Sequence, residues 1–490
     1  MKLQRRVLLT LFLVTMGMIT GGKMASAQNF IPINAANFPD VAIRNALERE
    51  AQYVFEEDDN YESENMEAFR YDSGIYYIDT DATFGYLSVG DYEEEIVYNV
   101  DCLKKFKNIE RLDIQNLNAS SVTLDNISDK IFVSQTKGAT LNISCSKVNN
   151  VEVRSDTASN LTISAPNVTD IRIGAGSKFT SISVIQTEKL KSLSIIDAKI
   201  KSLNVSGLPE LENLSIGWTP ISEIKGLEKL KQLCSLYVTD TDLRCLDVSA
   251  NKKLETLGCD RNDKMTSIKG SSALVTLIAE GNKNLKNVNV KNSKKLEILR
   301  VSNNKNLKSI DVSKNTNLKV LGAAYTRISQ LNVKNNKKLT NLSCYQAKLS
   351  KLNVKKNKKL VALDVNDNKN LKSIDVSNNS NLVSLDISGT KISKINLKKN
   401  KKLKWLCVDD SRIKQINLHK QKEFTFYFKT KKGKTIYLKK YIGTGYNATK
   451  KSKALSYNKN SGTVKVKKKG WNEIKLKKGK RTVVISVYAR

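Results

Sequence analysis

The feature that most constrains the fold of this chain is a run of near-identical segments of about 21 residues. The segment LTNLSCYQAKLSKLNVKKNKK, for example, reads L-x-x-L-x-V-like, then a polar link, then L-x-x-L-x-V and a second polar link. Such self-similarity decides the fold class before any local pattern does. Eleven segments keep one register, and they open at Leu190, Leu211, Leu233, Leu254, Leu274, Leu296, Leu318, Leu339, Leu360, Leu382 and Leu403.

Each half of a segment predicts one short strand, because apolar residues alternate with polar ones in L-x-V. The links are rich in Asn, Lys and Ser, which we expect at exposed corners. One segment is then a coil with two strand-like sides. A single coil cannot bury its own Leu, Ile and Val side chains, whereas stacked coils can. Residues 190–428 are therefore predicted to form a mainly β solenoid with two short strands per coil.

A weaker version of the same period continues upstream, over residues 110–189. Two interpretations remain open: further coils with shortened corners, or a separate all-β domain. The unbroken half-coil spacing favours one solenoid over residues 110–428. The apolar pairs are Leu112/Ile114, Val122/Leu124, Ile131/Val133, Leu141/Ile143, Val151/Val153, Leu161/Ile163, Ile171/Ile173 and Ile182/Val184.

The two-half repeat resembles that of bacterial leucine-rich-repeat proteins, among which are the cysteine-ladder internalins. Cys259 and Cys344 occupy the inward slot where such a ladder stands, but most segments carry Val, Ile or Ala there. The ladder is therefore expected to be vestigial. The resemblance covers about residues 110–425. It implies an extracellular, ligand-binding solenoid and does not name a ligand.

A stacked solenoid needs a cap at each end. Residues 28–109 are predicted to form a small acidic cap with a helix, since Pro39 suits a first helical turn and apolar residues from Val41 to Val54 recur at helical spacing. This segment also resembles the helical caps of secreted Gram-positive leucine-rich-repeat proteins. Residues 429–490 alternate short strands with Gly, Lys and Asn turns. That pattern predicts a small, basic, β-sandwich-like cap, and it resembles a truncated bacterial immunoglobulin-like module.

Residues 1–27 have the organisation of an export signal. Basic residues precede an apolar run from Val7 to Ile19, and Ala25-Ser26-Ala27 is an A-x-A-like cleavage site. A retained membrane anchor is the alternative, but the run is short for a spanning helix. We therefore expect a secreted, extracellular protein that can associate with the cell surface without a covalent or transmembrane anchor.

Charge is distributed unevenly along the chain, whose formal net charge is +35. Residues 28–100 contain 17 carboxylates against three arginines, so the remainder is strongly basic. A basic surface attracts polyanions, and for an exported protein these are wall polymers, anionic lipids or sulfated glycans. We expect a monomer that binds a protein or glycan ligand, including polyanionic ones, and no nucleic acid.

Two groups of residues are candidate ligand contacts. One is a column of lysines directly before the opening Leu of a segment, which stacking would align so that charges within about 8 Å reinforce one another. The other is the pair Tyr325 and Tyr345, about one coil apart, which could form a small hot spot. The alternatives are a polar corner that keeps the protein soluble and ordinary half-buried packing. The lysines are Lys253, Lys295, Lys338, Lys359 and Lys402.

Asparagine and aspartate form two further columns, for which we favour structural roles. We expect the first, on the second strands, to pair side chains between coils. We expect the second, at the corners, to bond turn backbone. The first column is Asp247, Asn289, Asp311, Asn332, Asn353, Asp375, Asn396 and Asn417; the second is Asn251, Asn315, Asn336, Asn357, Asn379 and Asn400.

The stretch DTDATFGYLSVGD is the one candidate metal site. Asp79, Asp81 and Thr83 alternate as calcium ligands do, but Gly85 and Asp91 each lie one residue late. A weak calcium site is the functional interpretation and an acidic turn is the favoured one. No other cofactor is expected.

Catalysis is not expected. The chain has a single histidine, His419, which every hydrolase triad or His-containing zinc site would have to share. A polysaccharide lyase on a β-helix is the remote alternative, and the regular segments offer no cleft for it. The predicted function is extracellular binding or adhesion through a repeat face. The main alternative is a wall-associated structural spacer held to anionic surface polymers by basic charge.

Overall fold

The structure is a computed structural model that describes residues 29–55, 68–90, 95–409, 411–413, 415–418, 423–442, 444–449 and 452–490. The predicted export signal, Asp91 and His419 lie outside these residues. The chain divides into two compact units, one of residues 1–153 with 163–165 and one of residues 154–162 with 166–490. Among the described residues, no helix combines the length and the apolar character needed to cross a membrane.

The structure is mainly β, as predicted, with few helices. The helices are α1 (Val41–Phe55) and α2 (Lys439–Ile442), with short 3₁₀ turns at Asp101–Lys105 and Leu227–Lys229. The first strands are β1 (Phe30–Pro32), β2 (Phe69–Asp72), β3 (Ile75–Asp79), β4 (Thr83–Val89), β5 (Asn108–Leu117), β6 (Ser121–Thr123), β7 (Ile127–Gln135), β8 (Thr140–Ser144), β9 (Asn150–Ser155) and β10 (Asn160–Ser164).

The remaining strands follow the repeat. They are β11 (Asp170–Ile173), β12 (Ser181–Ile185), β13 (Ser192–Ile196), β14 (Ser202–Asn204), β15 (Asn213–Gly217), β16 (Glu223–Lys225), β17 (Ser235–Thr239), β18 (Cys245–Asp247), β19 (Thr256–Gly258), β20 (Ser267–Lys269), β21 (Thr276–Ile278), β22 (Asn287–Asn289), β23 (Ile298–Arg300), β24 (Val320–Gly322), β25 (Gln330–Leu331), β26 (Asn341–Ser343), β27 (Lys351–Leu352), β28 (Ala362–Asp364), β29 (Ser384–Asp386), β30 (Lys394–Leu397), β31 (Trp405–Cys407), β32 (Gln415–Leu418), β33 (Glu423–Thr430), β34 (Thr435–Tyr437), β35 (Asn447–Ala448), β36 (Leu455–Asn458), β37 (Thr463–Val466), β38 (Gly470–Lys478) and β39 (Arg481–Ala489).

In the first unit, α1 begins directly after Asp40, whose Oδ1 accepts hydrogen bonds from the backbone N–H groups of Ala42 and Ile43. This is the side-chain cap that a helix N-terminus requires. The helix buries Ala42, Ile43, Ala46, Leu47 and Ala51. Val41, which the helical spacing placed on the buried side, is instead 56% exposed. Strands β1, β3 and β2 form an antiparallel sheet, and β4, β5 and β7 pair in parallel.

In the second unit, the first strands of successive coils form one long sheet. Strands β11, β13, β15, β17, β19, β21, β23, β24, β26, β28, β29, β31 and β33 pair in parallel in that order. Equivalent Leu residues lie opposite one another throughout, as Leu342 and Leu363 do. The eleven opening leucines are at most 1% exposed. These burials confirm the predicted coil register.

The second strands form shorter sheets on the other side of the coils. They pair as β14–β16, β18–β20–β22, β25–β27 and β30–β32. The segments around Ile310 and Ile374 are not strands, which separates three of these sheets. The inward residues remain buried even there, so stacking of apolar side chains, rather than strand pairing, holds this side together.

The upstream apolar pairs are buried as predicted, apart from Ile182 and Val184, which are only half-buried. At the other end, β33 crosses the predicted boundary at residue 429 and pairs with β39 over eight positions. Strand β38 then pairs antiparallel with β39. The C-terminal hairpin therefore extends the long sheet, while β34, β37 and β36 form a separate antiparallel sheet.

The corner asparagines bond backbone, as predicted. The Nδ2 group of Asn357, for example, donates to the carbonyls of Val333 and Asn336 in the preceding coil. The second-strand column is also structural. Its members from Asp247 to Asn396 accept from the N–H two residues ahead, as Asn353 does from Lys355, because a short Asx side chain readily reaches its own turn. Its three aspartates also pair between coils, each with a lysine, as Asp247 does with Lys269. A third column, which the sequence analysis missed, lies after the long-sheet strands at Asn262, Asn282, Asn304 and Asn368.

Candidate binding face

The outward side of the long sheet is the candidate site. We define the sheet face as the three outward residues of each long-sheet strand, with the residue that follows them, from Ser192 to Asp409. In the coil that opens at Leu339, for example, these are Asn341, Ser343, Tyr345 and Gln346. Outward and inward side chains alternate because the backbone is extended. The registers place equivalent residues of neighbouring coils side by side, about 4.8 Å apart.

The sheet face contains no lysine at any of its described positions, in a chain with 83 lysines and arginines. Its charge is instead acidic, with eight carboxylates against the two arginines Arg261 and Arg300. The Arg261 guanidinium is already paired with Asp240 at 2.7 Å. The carboxylates are those of Asp197, Asp240, Asp260, Glu280, Asp364, Asp367, Asp386 and Asp409.

One residue per coil on this face has a left-handed backbone, at the point where the chain leaves the strand. Gly281 and Gly389 adopt it without strain, whereas Tyr325 has φ of 51° and Trp218 has φ of 52°. A bulky residue in this region is strained. Strain that a fold tolerates at an exposed aromatic side chain indicates a use for that side chain. The column is Gly176, Asp197, Trp218, Asp240, Arg261, Gly281, Asn303, Tyr325, Gln346, Asp367 and Gly389.

The two predicted tyrosines lie together on this face. The ring centroids of Tyr325 and Tyr345 are 5.0 Å apart and the rings are inclined at 77°, an edge-to-face arrangement. Burial, together with the neighbouring Tyr325, Asp364 and Glu280, raises the pKa of Tyr345 above its usual value. The sequence analysis had placed these residues about one coil apart, and the structure makes them a contacting pair.

Two carboxylates lie directly opposite each other on adjacent strands β28 and β29. Asp364 pairs in register with Asp386, and the side chain of Asn366 donates to both, at 2.8 Å and 3.3 Å. Burial and the negative charge of Asp386 raise the pKa of Asp364 to about 7. Burial also raises the pKa of Asp386, against the lowering effect of hydrogen bonds from Ser388. Like charges facing each other across strands destabilise a sheet.

Four aromatic side chains form a cluster where the long sheet continues into the C-terminal hairpin. Centroid distances are 6.0 Å from Trp405 to Tyr427, 5.3 Å from Tyr427 to Trp471, and 4.9 Å from Trp471 to Tyr488. The chain has three tryptophans. Trp218 and Trp405 lie on the sheet face and Trp471 on its continuation, and they are 55%, 46% and 62% exposed. The sequence analysis did not find this cluster, since Trp471 and Tyr488 are distant from Trp405 in the chain.

The predicted lysines are all exposed, at the corners that lead into the long-sheet strands. Three of them bond the side-chain amide of the equivalent residue one coil earlier: Lys253 to Gln232, Lys338 to Asn317, and Lys402 to Asn381. The column therefore alternates ammonium with amide groups along part of its length. Ligand binding at Lys253, Lys295, Lys338, Lys359 and Lys402 stays a prediction.

Of the candidate calcium residues, Asp79 bonds backbone in the structure. The buried Asp79 carboxylate accepts hydrogen bonds from the N–H groups of Asn29 and Asp81. Asp81 and Thr83 are exposed, and Asp91 is outside the described residues. Over the part of the chain that the structure describes, no group of three or more His, Cys, Asp or Glu side chains could hold a metal ion. Cys259 and Cys344 are buried and unpaired.

Comparison with known proteins identifies the fold. No family model and no curated protein matches the chain. Among solved structures, it is similar to the functional domain of InlJ from Listeria monocytogenes, described as including a cysteine ladder. The identity is 17%, over 95% of this chain and 100% of that one, with a TM-score of 0.50. This similarity shows the leucine-rich-repeat fold.

Two other structures are more distant. A leucine-rich-repeat protein of Leptospira interrogans is 16% identical over 64% of this chain and 88% of that one, with a TM-score of 0.40. The internalin InlF of Listeria monocytogenes is 16% identical over 80% and 94%, with a TM-score of 0.37.

Proposed function

We propose that this chain is an extracellular binding protein that takes a protein or glycan ligand on its sheet face. The observation that carries the proposal is the composition of that face. A chain rich in lysine places none of its described lysines there, while two of its three tryptophans lie on the face and the third on its continuation. Binding interfaces are enriched in Trp, Tyr and Arg and depleted in Lys. The sequence supports the extracellular location through its export signal at residues 1–27.

The strained backbone supports the same surface. Trp218 and Tyr325 are held exposed on left-handed residues, where Gly or Asn would be more stable. A face without a ligand gives no reason to hold aromatic rings in that conformation. The rings also have few rotatable bonds, so they lose little entropy when a ligand covers them.

The alternative is a structural spacer held to anionic surface polymers by the corner lysines. Their exposure and regular placement support it. Such electrostatic attachment weakens steeply as salt increases. Attachment through the corner lysines also gives no role to the exposed tryptophans.

Tryptophan fluorescence separates the two functions, because all three emitters lie on the sheet face or its continuation. Residues 28–490 would be screened against glycan and protein arrays at about 0.05 and 0.3 M salt, and hits titrated by fluorescence. We expect saturable binding at both salt concentrations, with a shifted emission maximum. A double Tyr325→Asn, Tyr345→Ser variant should lose it, and Tyr437→Ser, which removes an exposed tyrosine elsewhere, should not. Binding only to polyanions, stripped by salt and silent in fluorescence, would establish the spacer instead.

A further inference from the structure

The charge of the sheet face indicates what kind of ligand it takes, and this step rests on the proposed binding function. Three classes of ligand make different demands. A polyanion selects for lysine, which the face lacks. A neutral ligand is compatible with a face without lysine, since binding interfaces in general are depleted in it, but it gains nothing from the eight carboxylates. A cationic ligand gains from both features. We infer that the sheet face binds a lysine- and arginine-rich segment of a partner protein.

The arrangement of charge within the face supports this ligand. Five of the eight carboxylates, from Glu280 to Asp409, lie in the coils after Arg261, where Arg300 is the only basic residue of the face. Opposite potentials on facing surfaces set the specificity of association. The rest of the chain is basic, but its repulsion is screened beyond about 8 Å at physiological salt. A ligand on the face is therefore affected mainly by the charges nearest to it, among which are the carboxylates of the face.

The contacts around Asp364 show how one cationic side chain would be held. Asp364 and Asp386 are opposite each other, and Asn366 already bridges them. Asp364 pairs in register with Ser343, two residues before Tyr345, and Tyr345 contacts Tyr325. An ammonium or guanidinium group seated here would meet two carboxylates and a ring face, which supplies a cation–π contact. It would also relieve the repulsion between the two carboxylates.

Beyond the pair, the same row continues through Cys407 to Tyr427, Ser486 and Glu473 on successive strands. The aromatic cluster of Trp405, Tyr427, Trp471 and Tyr488 therefore follows the carboxylate pair at a spacing of about two strands, roughly 10 Å. Neighbouring basic side chains of an extended segment can reach both. Lys429 on β33 and Lys475 on β38 lie beside this cluster, so the strongest contact is expected at the carboxylate pair rather than at the cluster.

The test uses a fluorescein-labelled peptide of twelve lysines, titrated into residues 28–490 at about 0.15 M salt. Three proteins are compared: the unaltered chain, Asp364→Asn with Asp386→Asn, and a matched control, Asp311→Asn with Asp375→Asn. The control removes the same number of carboxyl groups from the second-strand side, where other coils already carry Asn. In all four substitutions, the Asn side chain keeps an oxygen that can accept the hydrogen bond from the N–H two residues ahead. Unfolding midpoints verify that all three are folded.

We expect the sheet-face variant to bind the peptide about tenfold more weakly, since it loses both carboxyl groups at the contact. The control should change the affinity less than about twofold, because its charges are distant from the ligand. Equal weakening in both would overturn the inference, since it would show only an effect of net charge. A lysine peptide that binds the sheet-face variant as tightly as the unaltered chain would also overturn it. If lysine peptides fail but an array ligand still requires Tyr325 and Tyr345, the binding function stands and the cationic ligand is wrong.

Discussion

The side-chain oxygen of Asn282 accepts a hydrogen bond of 2.7 Å from the backbone N–H of Asn262, one coil earlier, while its Nδ2 donates to the carbonyl of Cys259 at 2.9 Å. Asn304 does the same for Asn282. Both polar ends of each amide are thus used in this column. In the corner column, the Oδ1 of Asn357 meets no hydrogen-bond donor among the described residues. An amide of the Asn282 column therefore bonds both a backbone N–H and a backbone carbonyl, whereas Asn357 of the corner column bonds backbone carbonyls only.

This difference predicts unequal losses of stability. Asn282→Ala leaves a buried N–H without an acceptor, and we expect it to cost about 3 kcal/mol. Asn357→Ala leaves two carbonyls with fewer donors but also removes an unsatisfied oxygen, so we expect about 1 to 2 kcal/mol. Urea unfolding followed by circular dichroism measures both. Equal losses would contradict the assignment of roles to the two columns.

Tyr325→Asn should stabilise the protein while weakening its binding. The φ of 51° at Tyr325 suits Asn, and the same column already contains Asn303 at 59°. The gain is expected to be about 0.5 to 1 kcal/mol, reduced by loss of the ring contact with Tyr345. Thermal unfolding gives the stability, and titration with an array ligand gives the affinity. Tyr345→Asn serves as the comparison, because Tyr345 is not among the left-handed residues and should show no backbone gain. A loss of stability in Tyr325→Asn larger than in Tyr345→Asn would argue against backbone strain.

Asp364→Asn should raise the unfolding temperature more at pH 8 than at pH 5. Burial and Asp386 raise the pKa of Asp364 to about 7, whereas an unfolded Asp titrates near 3.9. Between these values the folded chain holds a proton that the unfolded chain does not, so stability falls as the pH rises from about 4 to about 7. Asn is neutral throughout and avoids this loss.

Asp375 provides the opposite case. Hydrogen bonds from Ser377 lower its pKa to about 2, which means that the folded protein favours the charged form. Stability from this group is present above about pH 4 and disappears as the pH falls towards 2. Asp375→Asn should therefore lower the unfolding temperature slightly at neutral pH and have little effect at pH 2. If Asp364→Asn and Asp375→Asn both raised the unfolding temperature at neutral pH, the net charge of the protein, and not the local environment of each carboxylate, would determine the response.

The corner lysines are expected to act independently of the sheet face. Replacing Lys253, Lys295, Lys338, Lys359 and Lys402 with Gln should lower the salt concentration that elutes the protein from immobilised heparin, since fewer counterions are released on binding. The same variant should keep the tryptophan response to a ligand of the sheet face. The Asp364→Asn, Asp386→Asn variant should show the reverse. If the lysine variant abolishes the fluorescence response, the two surfaces form one site.

Much of the fold could be predicted from the sequence because it depends on short-range patterns. The spacing of Leu339 and Leu360 alone predicts one coil of the solenoid. Their burial could also be predicted, because a single coil cannot cover its own leucines and must stack on others. The helix α1 was also predicted, but Pro39 lies before its first turn, because the Asp40 side chain caps a helix that begins at Val41. The C-terminal hairpin was predicted as strands, but its attachment to the long sheet was not, because the pairing of β33 with β39 joins residues about sixty positions apart.

The candidate site was only partly predictable. Tyr325 and Tyr345 were found because they are one repeat apart, so periodicity brings them together. Asp364 and Asp386 are also about one repeat apart. The lack of lysine at the outward positions of the first strands could have indicated this acidic face. The prediction instead relied on the corner lysines, because the chain as a whole is strongly basic. Trp405 and Trp471 meet through Tyr427 only after the hairpin folds back.

The sequence by itself determined the repeat length, the inward leucines and the two strand-like sides. The reason is that apolar side chains repeated at a fixed period are buried when identical coils stack on one another. The tertiary structure decided which side carries the exposed tryptophans and the carboxylates without lysine. Stacking converts residues 20 to 22 positions apart into neighbours about 4.8 Å apart. Repulsion between Asp364 and Asp386, strain at Tyr325, and the contact of Trp405 with Tyr427 are properties of that proximity. They arise only when the coils are in register.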